Sequence, residues 1–192
     1  MLASVASMID QFNMPNIALL QKLGYEVDVA CNFIEGNTCS DERVAELKQK
    51  LQDMHVHCYQ IDFARNIKHM GQNMRALRQV EGLMKQNRYA FCHCHSPIGG
   101  VVARIAGHRT KTKVIYTAHG FHFYQGAPIV NWLVYYPVEK VLSRWTDVLI
   151  TINHEDYALA KKKFKMKQLT YVPGIGIDTK RDCLSQNEKE EK

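Results

Sequence analysis

The chain has 192 residues, 46% of them hydrophobic and 23% charged, and a formal net charge of +6 from 25 Lys and Arg against 19 Asp and Glu. That length and apolar content suffice for one domain-sized core and exclude a disordered or collagen-like chain. The apolar stretches are broken by charges or Gly well before the roughly 18 residues that span a bilayer as a helix, so no transmembrane segment is expected.

Short β-rich runs alternate with longer segments of helical spacing, the pattern of an α/β domain with a parallel sheet. Strands are predicted at residues 3–6, 26–31, 55–61, 89–95, 113–119, 148–152 and 168–172, and these seven fit one doubly wound, Rossmann-like sheet. No basic region precedes Asp10, so the N-terminus does not read as a secretory signal and a cytoplasmic protein is expected. The first strand is short for an interior one. Asn13 is expected to cap a helix with Pro15 in its first turn, Ile17, Leu20 and Leu23 turned inward, and Gly24 at its end. Asp41 is expected to cap a second, with Val44, Leu47, Leu51 and Met54 as one stripe. Met70, Met74, Leu77 and Met84 give a third its core face, and a fourth, starting near Pro97, buries Val101, Val102 and Ile105. Residues 179–192 are polar and charged and read as a linker or cut end, which leaves 1–178 as the domain.

Six cysteines (Cys31, Cys39, Cys58, Cys92, Cys94 and Cys183) form no CxxC pair, and free thiols are expected. Residues two apart on a strand share a face, so His93 and His95 can converge while Cys92 and Cys94 point the other way. That split breaks up a four-ligand zinc set, and no metal is expected. The positive charge favours an anionic partner: a phosphate, a nucleic acid or an acidic membrane face. A nucleic acid rests on charge alone and is not expected.

In doubly wound sheets ligands bind outside the carboxyl ends of the strands. The segment after the first strand, Ser7-Met8-Ile9-Asp10-Gln11-Phe12-Asn13, reads as a loop without glycine, which disfavours a dinucleotide or P-loop site. After the fourth come His95-Ser96-Pro97-Ile98-Gly99-Gly100. Gly99 and Gly100 there either expose helix N–H groups to a phosphate or sugar hydroxyl or simply allow close helix-to-sheet packing. After the fifth, Thr117-Ala118-His119-Gly120-Phe121-His122-Phe123 joins a polar head to an aromatic wall. A neutral His119 can hydrogen-bond a ligand hydroxyl or phosphate oxygen, and Gly120 lets a backbone approach closely, the alternative being a satisfied core histidine. The segment 127–145 is too apolar for a simple solvent-facing helix. It is read either as a surface dipping Trp132 and Tyr135 or Tyr136 into a membrane interface, with Lys140 and Arg144 on lipid headgroups, or as a buried sheet-packing helix. The lysine-rich run 161–167 adds local positive charge.

Taken with Leu23-Gly24-Tyr25-Glu26-Val27, Thr146-Asp147-Val148-Leu149-Ile150-Thr151-Ile152-Asn153, Glu155-Asp156 and Val172-Pro173-Gly174-Ile175-Gly176-Ile177-Asp178, these loops occur in an order that resembles a known family. The chain resembles the N-terminal, acceptor-side half of a bacterial family 4 glycosyltransferase of the GT-B fold, of the capsular or exopolysaccharide type. The resemblance implies retaining transfer from a nucleotide-sugar to a saccharide or lipid-linked acceptor in a cleft between two Rossmann-like domains, with no metal and no cofactor beyond the nucleotide-sugar. It implies that His119 is the catalytic-side histidine facing the sugar. It further implies that Ser7, Met8, Ile9, Asp10 and Phe12 lie against donor diphosphate and acceptor, that His95 and Ser96 line the acceptor side, and that Gly99, Gly100, Gly120 and Phe121 complete the binding surface. In such enzymes the Pro-Gly-Ile-Gly-Ile-Asp segment leads into the donor-binding domain. With none in this sequence, little transfer is expected from the chain alone, and a separate donor-domain chain is an implied partner. The resemblance places the protein in the cytoplasm at the inner face of the cell membrane. The alternative is a non-catalytic module that binds a membrane or a partner.

Overall fold

The computed structural model describes residues 1–64 and 69–174. All seven predicted strands are present: β1 (Leu2–Val5), β2 (Asp28–Asn32), β3 (His57–Gln60), β4 (Phe91–His95), β5 (Lys113–Ala118), β6 (Val148–Thr151) and β7 (Gln168–Tyr171). They form one all-parallel sheet in the order β3-β2-β1-β4-β5-β6-β7. Strand order reverses between β1 and β4, which opens a crevice at their carboxyl ends.

Alternate residues of each strand feed opposite faces. Ala3, Val29 and Cys31 pack with Ile9 of α1 (Ala6–Phe12), Ile17 of α2 (Met14–Lys22) and Val44, Leu47 and Leu51 of α3 (Asp41–Asp53). On the other face Cys94, Val114 and Tyr116 pack with Leu77, Val80 and Met84 of α4 (Met70–Asn87) and Val102, Ala103 and Ala106 of α5 (Pro97–Thr110). Beyond them lie α6 (Ile129–Leu142), the 3-10 turn Ser143–Trp145 and α7 (His154–Lys163).

The structure corrects several local expectations. Residues 7–12 are not a loop: α1 starts directly after β1. Asn13 stands at the N-cap of α2, its carbonyl accepting from the Ile17 N–H at 2.9 Å, but its side chain makes no capping bond because its amide donates back to the Met8 carbonyl at 3.0 Å. Leu23, the C-cap of α2, is 64% exposed instead of inward, and Tyr25 is exposed as well. Ser40 caps α3, its hydroxyl accepting from the Arg43 N–H at 3.3 Å, so Asp41 sits one position inside the helix. Only the far half of the methionine stripe is core: Met84 is buried, while Met70 and Met74 are exposed along a groove beside α4. Cys31, Cys39, Cys58, Cys92 and Cys94 are free thiols; Cys183 and the tail 179–192 lie outside the described residues. Among the described residues no helix is long and apolar enough to cross a membrane.

Candidate functional site

The crevice brings together the ends of β1, β4 and β5. Ser96 adopts φ +67°, and its hydroxyl accepts from the Ser4 N–H at 3.1 Å, which ties the end of β4 to β1 across the switch point. His93 and His95 share one strand face with ring centroids 4.3 Å apart, and Cys92 and Cys94 are buried on the other. His93 Nε2 is 2.8 Å from the Thr117 hydroxyl, and His95 Nδ1 is 3.1 Å from His119 Nε2. A line of three histidines therefore runs from inside the sheet to its edge. Burial strips water from the two inner rings and holds them neutral, with pKa values pushed down to about 4 for His93 and about 2 for His95. The same cause lowers His119, which is half-buried. Among the described residues no three His, Cys, Asp or Glu side chains are grouped to hold a metal ion.

The sequence-expected site residues divide into an open set and a buried set. His119 and Gly120 are accessible, Gly120 at φ +126° with space around its Cα, and Phe12 and Met8 are half-buried, the Phe12 ring 5.8 Å from the His119 ring. Ile9 is a correction: it is fully buried in the core of the α1 face and is not available to a ligand. Phe121 is largely buried, stacked on Phe123 with centroids 4.9 Å apart, and offers a ligand only the part of its ring that lines the apolar groove beside Gly120. Ser7 is buried, its hydroxyl accepting from the Thr38 N–H at 3.4 Å and its own N–H donating to Asn37 at 3.2 Å. Asp10 is engaged by the Arg43 guanidinium through two hydrogen bonds of 2.8 and 3.0 Å, which clasp α1 to α3.

His95 is 2% exposed and reaches the crevice only through His119, so it is not a ligand contact on the acceptor side; Ser96 is likewise buried and committed to Ser4. The two readings of the glycines are also decided. A Cβ on Gly99 would stand 2.8 Å from Ser96 Oγ, and one on Gly100 would stand 2.6 Å from the Tyr116 ring. Both glycines let α5 press onto the sheet.

Two residues that the sequence reading quoted only for the family resemblance prove to form the site. Asn153 caps α7, its side-chain oxygen accepting from the Asp156 N–H at 2.7 Å, and Asp156 in turn accepts from the Phe121 N–H at 3.0 Å. This relay anchors the loop that carries His119 and Gly120. The spacing Asn153-x-x-Asp156 is the visible signal, a capping box with an acidic third residue. Burial raises the Asp156 carboxyl above its ordinary value, against the lowering effect of its hydrogen bonds.

An apolar groove of about 490 Å³ begins beside Gly120 and runs between α4, α5 and α6 over Leu77, Ile98 and Phe121, with Met74 and Val138 on its rims. On α6 itself the expected membrane-facing aromatics turn the other way. Trp132 and Tyr136 pack on Phe123, at 5.6 and 5.5 Å, and Tyr135 lies against His122 at 4.7 Å. The rings are drawn inward because Phe121, Phe123 and Phe164 offer an apolar bed. The outward face is aliphatic instead, with Ile129, Val130, Leu133, Val134 and Val141 exposed, and Lys140 and Arg144 exposed near its end.

The glycosyl transferase 4-like domain matches this chain over residues 14–173. The chain belongs to that family. EpsD of Bacillus subtilis (strain 168), which is named as a glycosyltransferase, is 40% identical over 175 residues, covering 88% of this chain and 42% of EpsD. The Escherichia coli UDP-Gal:alpha-D-GlcNAc-diphosphoundecaprenol alpha-1,3-galactosyltransferase is 26% identical over 124 residues, covering 62% of this chain and 32% of that enzyme. The chain thus spans less than half the length of the curated relatives it matches. Among solved structures, Acinetobacter baumannii MurG superposes with a TM-score of 0.56 at 15% identity, over 95% of this chain and 47% of its own. Anabaena HepE, solved with UDP-glucose, gives 0.58 at 12% identity, over 99% and 48%. These structural likenesses show the Rossmann-like α/β fold that the sequence resemblance implies.

Proposed function

We propose that this glycosyltransferase domain holds the acceptor for retaining transfer of a sugar from a nucleotide-sugar to a lipid-linked saccharide, once a donor-binding domain closes the crevice. The observation that carries the reading is the adjacency of two unlike surfaces at Gly120: the accessible, neutral His119 and the apolar groove. A saccharide headgroup needs the first, and a hydrocarbon tail needs the second. The relative from Escherichia coli, named for a diphosphoundecaprenol acceptor, and the HepE neighbour, solved with a UDP-sugar, support that pairing of substrates. The nucleotide-sugar is the co-substrate, with no further cofactor or metal.

The chemistry gains most from positioning and from donors aimed at developing charge. His119 serves the sugar side, with Gly120 giving the ligand close access to the backbone. The aliphatic face of α6, with Lys140 and Arg144, suits the inner surface of an anionic cell membrane, where a lipid-linked acceptor resides. These features support a working location in the cytoplasm at the membrane.

The test is complementation. The chain is mixed with a donor-half polypeptide of EpsD, a panel of UDP-sugars and a short isoprenyl-diphosphate-linked N-acetylglucosamine, and transfer is followed by mass spectrometry. Product that requires both polypeptides supports the reading. Its absence with every donor, while the chain still binds vesicles, replaces it with a non-catalytic membrane-binding module.

A further inference from the structure

The contact between His95 Nδ1 and His119 Nε2, 3.1 Å long, contains a single proton, and the surroundings decide which ring carries it. If His119 donates from Nε2, His95 accepts at Nδ1 and must keep its own proton on Nε2. That atom is buried and meets no partner among the described residues, so the arrangement strands an N–H in the core. Orphaned buried N–H groups are rare in folded proteins, and unused acceptors are somewhat less so. If His95 donates from Nδ1, its Nε2 is a bare nitrogen and only a lone pair goes unused.

We propose that His95 is a positioning residue that donates its Nδ1–H to His119 Nε2, fixing His119 as the Nδ1–H tautomer and so making it a hydrogen-bond donor, not a base, toward a sugar or diphosphate oxygen in the crevice. His119 Nδ1 has no protein partner among the described residues and is not buried, so the proton it carries is presented outward. The ring that delivers this instruction is itself held. His95 lies against the His93 ring, and His93 is bonded to the Thr117 hydroxyl on the neighbouring strand. Protonating His119 on Nε2 would set two N–H groups against each other, so the pair resists charging, in line with the lowered basicity of both rings. The other titratable groups facing His95 are His93 and the N-terminal ammonium, and both lower its basicity.

The identity of the outward ligand rests on the transferase reading; the tautomer does not. Long-range proton–nitrogen correlation on the chain labelled with ¹⁵N-histidine reads the tautomers directly. The expected spectrum shows both His95 and His119 protonated on Nδ1, with Nε2 of each in the bare-nitrogen range. A protonated Nε2 on His119 overturns the proposal. In His95→Asn the amide N–H can replace the lost donor, and His119 is expected to stay protonated on Nδ1. In His95→Leu the donor is gone, and the His119 Nε2 signal is expected to move toward the protonated range. An unmoved signal in a folded His95→Leu chain overturns the positioning role. If that variant does not fold, the wild-type spectrum and the Asn variant decide. No step of the test reads sugar transfer, so its failure and failure of the transferase reading are told apart.

Discussion

The Arg104 guanidinium on α5 and the Glu139 carboxylate on α6 face each other through two hydrogen bonds, 2.7 and 2.9 Å, with both side chains withdrawn from water. Arg104 also donates to the Gly100 carbonyl at 2.8 Å and lies 4.2 Å over the Tyr116 ring. This fork fastens α6 across the back of the groove. Removing one partner strands the other charge in the core, so Arg104→Met or Glu139→Leu alone is expected to cost about 3–5 kcal/mol in urea unfolding. The double variant, which removes both charges, is expected to lose less than either single one.

The glycines of α4 and α5 give a paired test of packing. A Cβ at Gly100 would sit 2.6 Å from a Tyr116 ring that Arg104 already covers, so Gly100→Ala is expected to destabilise by about 1–3 kcal/mol. At Gly82, in the middle of α4, nothing lies within 4 Å, and Gly82→Ala is expected to stabilise by about 1 kcal/mol. Thermal melts of the two variants moving in the same direction would contradict the close approach of α5.

Stability is expected to fall on the acid side of neutrality. His93 and His95 are neutral when folded, at about 4 and about 2, and return toward the ordinary 6.5 when the chain unfolds. Above pH 6.5 neither state binds the extra protons and the contribution is level. Between 6.5 and 4 the unfolded chain binds more protons than the folded one, so stability drops by about 1.4 kcal/mol per pH unit for each ring. Urea midpoints taken from pH 7.5 to 4.5 should show this slope, and His93→Gln should remove one ring's share of it.

His119 is half-buried at the end of the histidine line, and its Nε2 is the partner of the buried His95 Nδ1. His119→Ala strands that donor and is expected to cost about 1–3 kcal/mol in urea unfolding while the chain stays folded. In the complemented enzyme it should lower kcat by about 10²–10³, the loss typical of one donor aimed at developing charge. A variant that unfolds instead would make His119 a core residue.

On α6 the exposed aliphatic face gives a membrane test that separates the two sides of the helix. Leu133→Ser and Lys140→Glu should weaken co-sedimentation with phosphatidylserine-containing vesicles, the charge change by about 1 kcal/mol or more and less so in high salt. Trp132→Ala, whose ring packs on Phe123, should act through stability. Equal vesicle binding by Leu133→Ser and the parent would remove α6 as the contact.

The sequence by itself determined the seven strands and their parallel, doubly wound character, because strand alternation and helical spacing are local patterns that burial on both faces of a sheet enforces. It also put His93 and His95 on one face and the adjacent cysteines on the other, a consequence of the two-residue period alone. Tertiary structure decided what each polar residue does. Ser7, Asp10, Ser96 and Asp156 all stand at strand or helix ends where a ligand contact is plausible, yet each is claimed by a distant partner: Thr38, Arg43, Ser4 and Phe121. Likewise Trp132 and Tyr136 turn inward because Phe123 and Phe164, far apart along the chain, offer them a surface. Hydrogen-bond competition and ring packing across long sequence separations are set by three-dimensional proximity, and no local period encodes them.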